Sequence, residues 1–478
     1  MTEEEVDLVT FIIDFLSSKE TIGFLCGFIM SVGLVVWFVL PRHKKVVEEV
    51  EQTIEPVVKK RRKQQEQGLS RKQLLKLVEG KKLEIQFSHP SLAGHLRGHQ
   101  DNLTDLSFDD RGRYLVTASQ DRSIRIWYSK DFSTNDHRYA RASIQLDFAL
   151  KVRISPDCKA LLAYTNEARH LNVYRLNKNS NGNITTSYAG DFPLDHKGDL
   201  ISLDVASLGT YILAGYSEGR ISVYSVKGKQ LYTRDLGTII TVVVLSPSSE
   251  RFFIGTPEGH ILLFTIKLTE SSYFHSMSFE CNLKGHTKGI RDLAISGDTT
   301  RLASLGGDGK WIIWDTMKSY TDKAIIKPYI AQYEYAKAPP PLSASAIKKG
   351  KKQEEIHGYI AISPDTHVTV VIQKSLIRMF KTIDGSLLET IESTEYDEID
   401  RVCFSPDGHY LITMSSVNEE NLARIWYNPH GLQMELVLVE RQLHGERESY
   451  IRDRLNKRVE EIKGQLRELS NKKKVKSK

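Results

Sequence analysis

The sequence predicts an all-β protein, a seven-bladed β-propeller, with one transmembrane helix before it and an α-helix after it. Seven short apolar segments end in an aromatic residue, and successive aromatics are 40 to 66 residues apart. Turns rich in Pro, Asp and Gly separate the segments, so each unit is predicted to contain three regular strands and a less regular fourth strand. A four-stranded sheet cannot bury both of its faces alone, which favours seven sheets packed in a ring. The seven aromatics are Trp127, Tyr174, Tyr224, Phe264, Trp314, Phe380 and Trp426.

Two units contain a Gly-His pair upstream and an Asp before the aromatic residue, and this sequence pattern is typical of a WD40 blade. We expect each histidine to link the turn aspartate to the tryptophan as a buried, partnered polar group. The serine that usually stands three residues before the turn Asp is replaced by Ala118 and Leu305. The predicted structural blade residues are His99, Asp121, Trp127, His286, Asp308, Trp314 and Trp426.

The alternative interpretation of these His-Asp-Trp sets is an active site. Catalysis would need a nucleophile or a metal held by the same histidine, and none stands at a recurring position. The sequence therefore predicts a protein that is not an enzyme, with no catalytic residues, no cofactor and no metal. Four scattered cysteines form no CxxC pair, which argues against a disulfide framework or a zinc ribbon and suits a reducing compartment. They are Cys26, Cys158, Cys281 and Cys403.

Residues 21–40 contain no charged side chain over twenty positions, enough for a helix to cross a bilayer. A cleaved signal peptide is the alternative, but residues 1–20 are acidic and no A-x-A site follows. Basic residues begin at Arg42, directly after the span. Because cationic flanks stay in the cytosol, we expect residues 1–20 to be lumenal and the propeller to be cytosolic.

Residues 41–82 form a charged linker, in which residues 59–82 hold ten Lys or Arg against two Glu. Three interpretations apply to its basic cluster: contact with anionic lipid, contact with RNA or the ribosome through phosphates, or a solvated helix. Without interleaved aromatics, the lipid-facing and solvated interpretations are favoured over sequence-specific RNA binding. The cluster comprises Lys59, Lys60, Arg61, Arg62 and Lys63.

The propeller is predicted to span residues 83–430, with residues 83–92 supplying the missing edge strand of the last blade and so closing the ring. Residues 329–357 are predicted to be a flexible loop insertion between blades five and six, on composition and length. Tyrosines of this insertion, Tyr329, Tyr333 and Tyr335, form a candidate handle for a partner.

Residues 431–478 are predicted to hold a helix and a basic tail. An apolar stripe from Ile451 to Leu469 fits either a helical partner or docking back onto the propeller, and both remain open. Lys474 and Lys476 stand fifth and third from the end, a spacing similar to a dilysine retrieval signal of the endoplasmic reticulum.

Four stretches resemble the transducin beta-like protein 2 family: YLVTASQDRSIRIWYSKDF, IQLDFALKVRISPDCKA, LKGHTKGIRDLAIS and GGDGKWIIWDT. The likeness extends over most of residues 98–430. It implies a single-pass protein of the endoplasmic reticulum membrane with a cytosolic propeller. It further implies a part in the response to unfolded proteins, through the membrane kinase that damps translation initiation, with contact to ribosomes or messenger RNA.

Three functions are compatible with this sequence. The first is a membrane-tethered scaffold whose propeller loops bind proteins, including an endoplasmic-reticulum stress kinase, without chemistry of its own. The second is a regulator of a small GTPase, similar to WD40 exchange factors of the same membrane, although those carry the span after the propeller. The third is an adaptor that binds RNA or the ribosome through residues 59–82.

Overall fold

The computed structural model of the protein describes residues 89–134, 136–194, 198–317, 329–336, 356–392, 398–415, 421–445 and 448–476. All of these residues belong to the second of two units of the chain, residues 87–478. Within them, 28 strands form seven antiparallel sheets of four strands each. The predicted seven-bladed all-β propeller is confirmed.

The first four blades follow one another along the chain. Blade one contains β2 (Leu103–Phe108), β3 (Tyr114–Ser119), β4 (Ser123–Tyr128) and β5 (Tyr139–Ser143). Blade two contains β6 (Ala149–Ile154), β7 (Ala160–Thr165), β8 (His170–Lys178) and β9 (Ile184–Pro193). Blade three contains β10 (Leu200–Val205), β11 (Tyr211–Tyr216), β12 (Arg220–Ser225) and β13 (Gln230–Asp235). Blade four contains β14 (Val242–Leu245), β15 (Arg251–Gly255), β16 (His260–Leu268) and β17 (Phe274–Lys284).

The last three blades complete the ring. Blade five contains β18 (Ile290–Ile295), β19 (Arg301–Gly306), β20 (Lys310–Asp315) and β21 (Tyr329–Glu334). Blade six contains β22 (Tyr359–Ile362), β23 (Val368–Gln373), β24 (Leu376–Lys381) and β25 (Leu387–Glu392). Blade seven contains β26 (Ile399–Phe404), β27 (Tyr410–Ser415), β28 (Ala423–Tyr427) and β1 (Leu92–Leu96).

Burial changes in a regular way across each blade. The second strand is apolar and buried on both faces, as in β3, where all six residues are buried. The fourth strand lies at the rim and is half exposed, and in β13 exposed residues alternate with partly buried ones. The seven recurring aromatics all lie in third strands and are all buried. Each therefore fills the space between its blade and a neighbouring one.

The ring closes through β1, the outer strand of blade seven, which pairs with β28. A closing strand from the N-terminal side was predicted, but its position at residues 83–92 is wrong. Leu92 and Leu96 fix the register, because Leu92 packs into the core between blades six and seven and Leu96 into the core between blades seven and one. Residues 83–88 lie outside the described residues.

The predicted loop insertion 329–357 is wrong at its start, because residues 329–334 form β21. This strand pairs with β20 and gives blade five its fourth strand. The ring of Tyr333 packs against Trp311 with centroids 4.5 Å apart, and the Tyr335 hydroxyl donates to the Gly306 carbonyl at 3.0 Å. These two tyrosines therefore stabilise blade five instead of extending toward a partner.

Two helices follow the propeller, α1 (Pro429–Gly445) and α2 (Ser449–Lys476), where one helix was predicted. Asn428 caps α1 by accepting the Gly431 N–H at 3.2 Å, and Pro429 suits the first helical position. Ile462 of the predicted apolar stripe is buried against Leu432, with Tyr427 of blade seven packed beside them. The stripe therefore packs on a helix of the same chain, α1, with Tyr427 as a contact to the propeller, so each of the two alternatives is met in part.

The predicted transmembrane helix, residues 21–40, lies outside the described residues. Among the residues that the structure does describe, no helix has both the length and the apolar character needed to cross a membrane.

Candidate functional site

In blade one the predicted histidine network is present, with one member that was not expected. His99 Nδ1 lies 3.0 Å from Asp121 Oδ2, and its Nε2 lies 2.9 Å from the Thr117 hydroxyl. Trp127 Nε1 donates to the same hydroxyl at 2.8 Å. A carboxylate only accepts and an indole N–H only donates, so His99 donates from Nδ1 and Thr117 donates to Nε2. Every polar group of the network is satisfied with a neutral imidazole.

The electrostatics of this network agree with its geometry. Burial lowers the pKa of His99 below its ordinary 6.5, although the Asp121 carboxylate opposes the shift. Burial acts to raise the pKa of Asp121, but hydrogen bonds from His99 and Ser123 outweigh it and hold that pKa well below the ordinary value. The pair is therefore a neutral histidine beside an ionised aspartate.

Blade five repeats the arrangement. His286 Nδ1 lies 3.1 Å from Asp308 Oδ1, and its Nε2 lies 2.8 Å from the Ser304 hydroxyl. Trp314 Nε1 donates to Ser304 at 2.8 Å. Burial acts to raise the pKa of Asp308, but the hydrogen bond from His286 lowers it below the ordinary value.

The hydroxyl that joins histidine to tryptophan is present in both blades, which corrects a prediction from the sequence. Ala118 and Leu305 were expected to replace a missing serine. The hydroxyl stands one position earlier, at Thr117 and Ser304, where the strand turns its side chain toward the histidine. In blade seven Trp426 Nε1 donates to the Thr413 hydroxyl at 2.8 Å. In the sequence, a Ser or Thr in the middle of a predicted second strand could have indicated where this hydroxyl lies.

Ser304, His286 and Asp308 have the connectivity of a hydrolase triad, so their accessibility decides what they can do. Ser304 is completely buried, and its hydroxyl oxygen already accepts the Trp314 N–H. A substrate carbonyl cannot reach this oxygen, and the trio therefore stabilises the blade. Among the described residues, no group of three or more His, Cys, Asp or Glu side chains could hold a metal ion.

We expect Thr117→Val to lower the free energy of unfolding by about 2 kcal/mol, because it leaves buried Trp127 and His99 groups without partners while keeping the side-chain shape. Urea denaturation of both proteins measures the difference. Thr185→Val, at an exposed position of β9, is the control and is expected to change stability by less than about 0.5 kcal/mol. Equal effects of the two substitutions would show that the hydroxyl is not part of the blade's support.

The free cysteines are not activated nucleophiles. Burial raises the pKa of Cys158 to about 12, that of Cys281 to about 11 and that of Cys403 to about 12. All three are therefore protonated thiols at neutral pH. Cys26 lies outside the described residues.

The first strands of the seven blades surround a central channel of about 1160 Å³. Two aspartates on these strands, of which Asp105 is buried, join neighbouring blades. Asp105 Oδ2 accepts the Val152 N–H of blade two at 3.0 Å, and Asp292 Oδ2 accepts the Ile360 N–H of blade six at 2.9 Å. Sequence reasoning missed both, although each stands six positions after the histidine of a Gly-His pair.

Asp105 is also the centre of an ionic network across the channel wall. Its Oδ2 accepts Arg153 Nη1 at 2.9 Å, and its Oδ1 lies 3.4 Å from Arg401 Nε of blade seven. Arg153 Nε in turn donates to Asp204 of blade three at 3.0 Å. Burial acts to raise the pKa of Asp105, but Arg401 and Arg153 outweigh it and lower that pKa. Four blades are thus linked by charge at the ring closure.

A second ionic contact attaches the helices to blade seven. Glu435 of α1 accepts from Arg458 of α2 at 2.8 Å and lies 3.0 Å from His409 Nε2 in the turn before β27. This three-residue contact holds α1 and α2 beside that turn.

Side-chain positions are not described for two of the predicted groups of lysine and arginine residues. Residues 59–63 lie outside the described residues. Lys474 and Lys476 lie in the last turns of α2, where the helix is described and its side chains are not.

The seven four-stranded sheets and the two His-Asp-hydroxyl-Trp networks define a WD40 β-propeller. The family model "WD domain, G-beta repeat" matches residues 90–128 and 277–315, which contain the Gly-His pair and third strand of blades one and five. Propellers of this class are generally non-catalytic scaffolds that bind proteins.

Within that class, the chain belongs to the transducin beta-like protein 2 family. It is 30% identical over 369 residues to Transducin beta-like protein 2 of Mus musculus, covering 75% of this chain and 78% of that protein. It is likewise 30% identical over 347 residues to Transducin beta-like protein 2 of Homo sapiens, covering 71% and 73% of the two chains. A shorter similarity, 29% identity over 152 residues, relates it to Eukaryotic translation initiation factor 3 subunit I of Eremothecium gossypii, covering 30% of this chain and 42% of that one.

Proposed function

We propose that this protein is a scaffold of the endoplasmic reticulum membrane, held by residues 21–40, with its propeller in the cytosol. Its partners are proteins of the response to unfolded proteins, among them the membrane kinase that damps translation initiation. The uncharged segment 21–40, the basic residues that follow it and membership of the transducin beta-like protein 2 family support this proposal. The scaffold has no chemistry of its own, and its propeller loops bind the partners.

The loop between β5 and β6 is the part of the propeller that we propose as a binding surface. Leu146 in this loop is 85% exposed and has φ +61°. A leucine in the left-handed region is strained, and a large apolar side chain in water adds no stability. Both features together point to a side chain presented for binding.

The loop is held rigid by the next residue. Asp147 is buried, and its carboxylate accepts the backbone N–H groups of Phe148 at 2.7 Å, Glu167 at 2.9 Å and Ala168 at 3.1 Å. These bonds tie the β5–β6 loop to the β7–β8 turn of blade two. Leu146 is therefore fixed before binding, which reduces the entropy lost when a partner docks.

Proximity labelling in intact cells tests the proposal, with the labelling enzyme fused to the full chain. We expect cytosolic-face proteins of the endoplasmic reticulum and the stress kinase among the labelled proteins, and their loss when residues 21–40 are removed. Leu146→Asp is expected to weaken partner binding by about thirtyfold, as for an apolar anchor worth about 2 kcal/mol. Leu208→Asp, at a 67% exposed leucine in the β10–β11 turn, is the matched control.

Two results would contradict the proposal. Protection of the propeller from protease in sealed microsomes would place it on the other side of the membrane. Labelling that is equally strong in Leu146→Asp and Leu208→Asp would remove the β5–β6 loop from the binding surface. Recovery of a small GTPase or of RNA as the main labelled species would favour the other two functions.

A further inference from the structure

The wall of the central channel carries basic, acidic and apolar side chains. Lys151, Arg153 and Arg401 line it from blades two and seven, whereas Val242 and Val244 line it from blade four. Its volume of about 1160 Å³ is slightly larger than the range for small-molecule sites, about 300–1,000 Å³. A channel of this kind can hold an organic molecule with a charged head.

Lys151 is the unexplained group in this channel. It is 9% exposed, and its ammonium makes no hydrogen bond or ion pair with any residue that the structure describes. Nearly buried ammonium groups are normally paired, since a buried charge without a partner is costly. The IQLDFALKVRISPDCKA stretch singled out in the sequence contains this lysine.

The nearby carboxylates are already engaged by other donors. Asp105 accepts from Arg153 and from Val152 N–H, and Asp204 accepts from Arg153 and from Ser202. Both oxygens of Asp292 accept backbone N–H groups, from Ile360 and Leu293. None of these three carboxylates forms an ion pair with the Lys151 ammonium, and Asp105 Oδ1 accepts no hydrogen bond.

Arg401 is the second cation with unused donors. Its Nε lies 3.4 Å from Asp105 Oδ1, and it donates no hydrogen bond to a described residue. Burial, and after it the charge of Arg401, lower the pKa of Lys151 to about 8, although Asp105 opposes the shift. Two cations with free N–H groups therefore lie close enough to repel each other.

We propose that the channel binds a small organic anion, whose phosphate or carboxylate head lies between Lys151 and Arg401. The oxygens of such a head accept from the lysine ammonium and from the arginine fork in charge-assisted hydrogen bonds. The apolar body of the ligand lies in the channel toward Val242 and Val244. This site is distinct from the β5–β6 loop, so it goes beyond the scaffold function.

The test uses the purified full chain and three probes: inorganic phosphate for the head alone, n-butyl phosphate for head and body, and n-butyrate for a carboxylate head. Isothermal titration at constant ionic strength measures affinity. We expect n-butyl phosphate to bind about tenfold more tightly than inorganic phosphate, because its butyl group contacts the apolar part of the channel wall. The comparison with n-butyrate distinguishes a phosphate head from a carboxylate head.

Lys151→Met is the central variant and is expected to weaken binding of the tighter probe by about tenfold or more. Because the Lys151 ammonium has no hydrogen-bond or ion-pair partner among the described residues, its removal leaves no buried group unpaired. The variant is therefore expected to fold, and its unfolding temperature is expected to equal or exceed that of the native chain. Lys159→Met, whose side chain is 81% exposed on a turn of blade two, is the matched control and is expected to bind normally.

A chemical readout follows the lysine itself. Trace acetylation with isotope-labelled acetic anhydride, read by mass spectrometry, reports how accessible each amine is. We expect the bound probe to protect Lys151 and to leave Lys159 unprotected. Affinity is also expected to fall as pH rises through about 8, because Lys151 then loses its charge while Arg401 and Arg153 keep theirs. Equal affinity in Lys151→Met and equal labelling of Lys151 with and without each probe would overturn the proposal.

Discussion

Replacement of Asp105 by asparagine is expected to lower the free energy of unfolding by about 3–5 kcal/mol. The carboxylate is buried, pairs with Arg153 and Arg401, and accepts the Val152 N–H. An amide of the same size keeps the packing but removes the charge, so Arg401 loses the carboxylate that it pairs with and Arg153 keeps only Asp204. The loss falls at the junction of blades seven, one and two, next to the closing strand β1.

Urea denaturation of the native chain and of Asp105→Asn measures this difference. Asp199→Asn is the control, because the Asp199 side chain is 85% exposed and its pairing with Arg169 is a surface contact. Such a contact contributes about 0–1 kcal/mol. A loss below about 1 kcal/mol in Asp105→Asn would mean that the arginines find other partners.

The same pair of proteins has a predicted pH dependence. The folded-state pKa of Asp105 is below its ordinary 3.8, so its contribution to stability is complete above that value. It is lost as pH falls through the lower, folded-state pKa. The stability difference between the native chain and Asp105→Asn is therefore expected to be constant from pH 7 to pH 5 and to shrink below about pH 4.

The repeating features of the fold were predictable because each one recurs in the sequence. Seven aromatics at a spacing near that of a four-stranded blade define seven third strands, and all seven lie there. The features that occur once were harder. The closing strand could have been any alternating apolar segment ahead of Gly98, and only packing of Leu92 and Leu96 between blades selects residues 92–96.

The same distinction explains the errors at blade five and at the C-terminus. The composition of residues 329–357 indicated a loop, but the exposed edge of β20 needs a partner, and Tyr333 and Tyr335 supply packing for it. The stripe around Ile462 was compatible with any apolar partner, and α1 turned out to provide one. Tertiary contacts determine the structure of such segments, and the local sequence pattern gives no information about those contacts.

Within the site, the histidines, aspartates and tryptophans were predictable from their spacing, and the hydroxyls and channel charges were not. Thr117 shares its strand with Ser119, so only the geometry shows which of the two hydroxyls meets His99. Asp105 and Lys151 lie 46 positions apart in sequence, and only the packing of blade one against blade two brings them close together.

Replacement of Trp127 by alanine is expected to lower the free energy of unfolding by about 3–5 kcal/mol, the range for removing a buried tryptophan. Its indole is almost completely buried in the core shared by blade one and blade seven, together with Leu96 of the closing strand and Ile425. Alanine leaves a cavity at that junction. It also removes the N–H that Thr117 accepts.

Trp127→Phe separates these two losses, since it keeps most of the apolar volume and removes only the hydrogen bond and part of the ring. We expect it to cost less than half as much as alanine. Tyr188→Ala, at an exposed aromatic of β9, is the control and is expected to stay within about 1 kcal/mol of the native chain.

The location of the damage is a further expected result. Because Trp127 and Leu96 share one core, the cavity weakens the attachment of β1 more than that of the blades opposite. Amide hydrogen exchange is therefore expected to rise in Leu92–Leu96 and in β2, and to stay unchanged in β15 and β16 of blade four. A uniform rise over all seven blades would instead mean that the ring opens as one unit and that β1 has no special weakness.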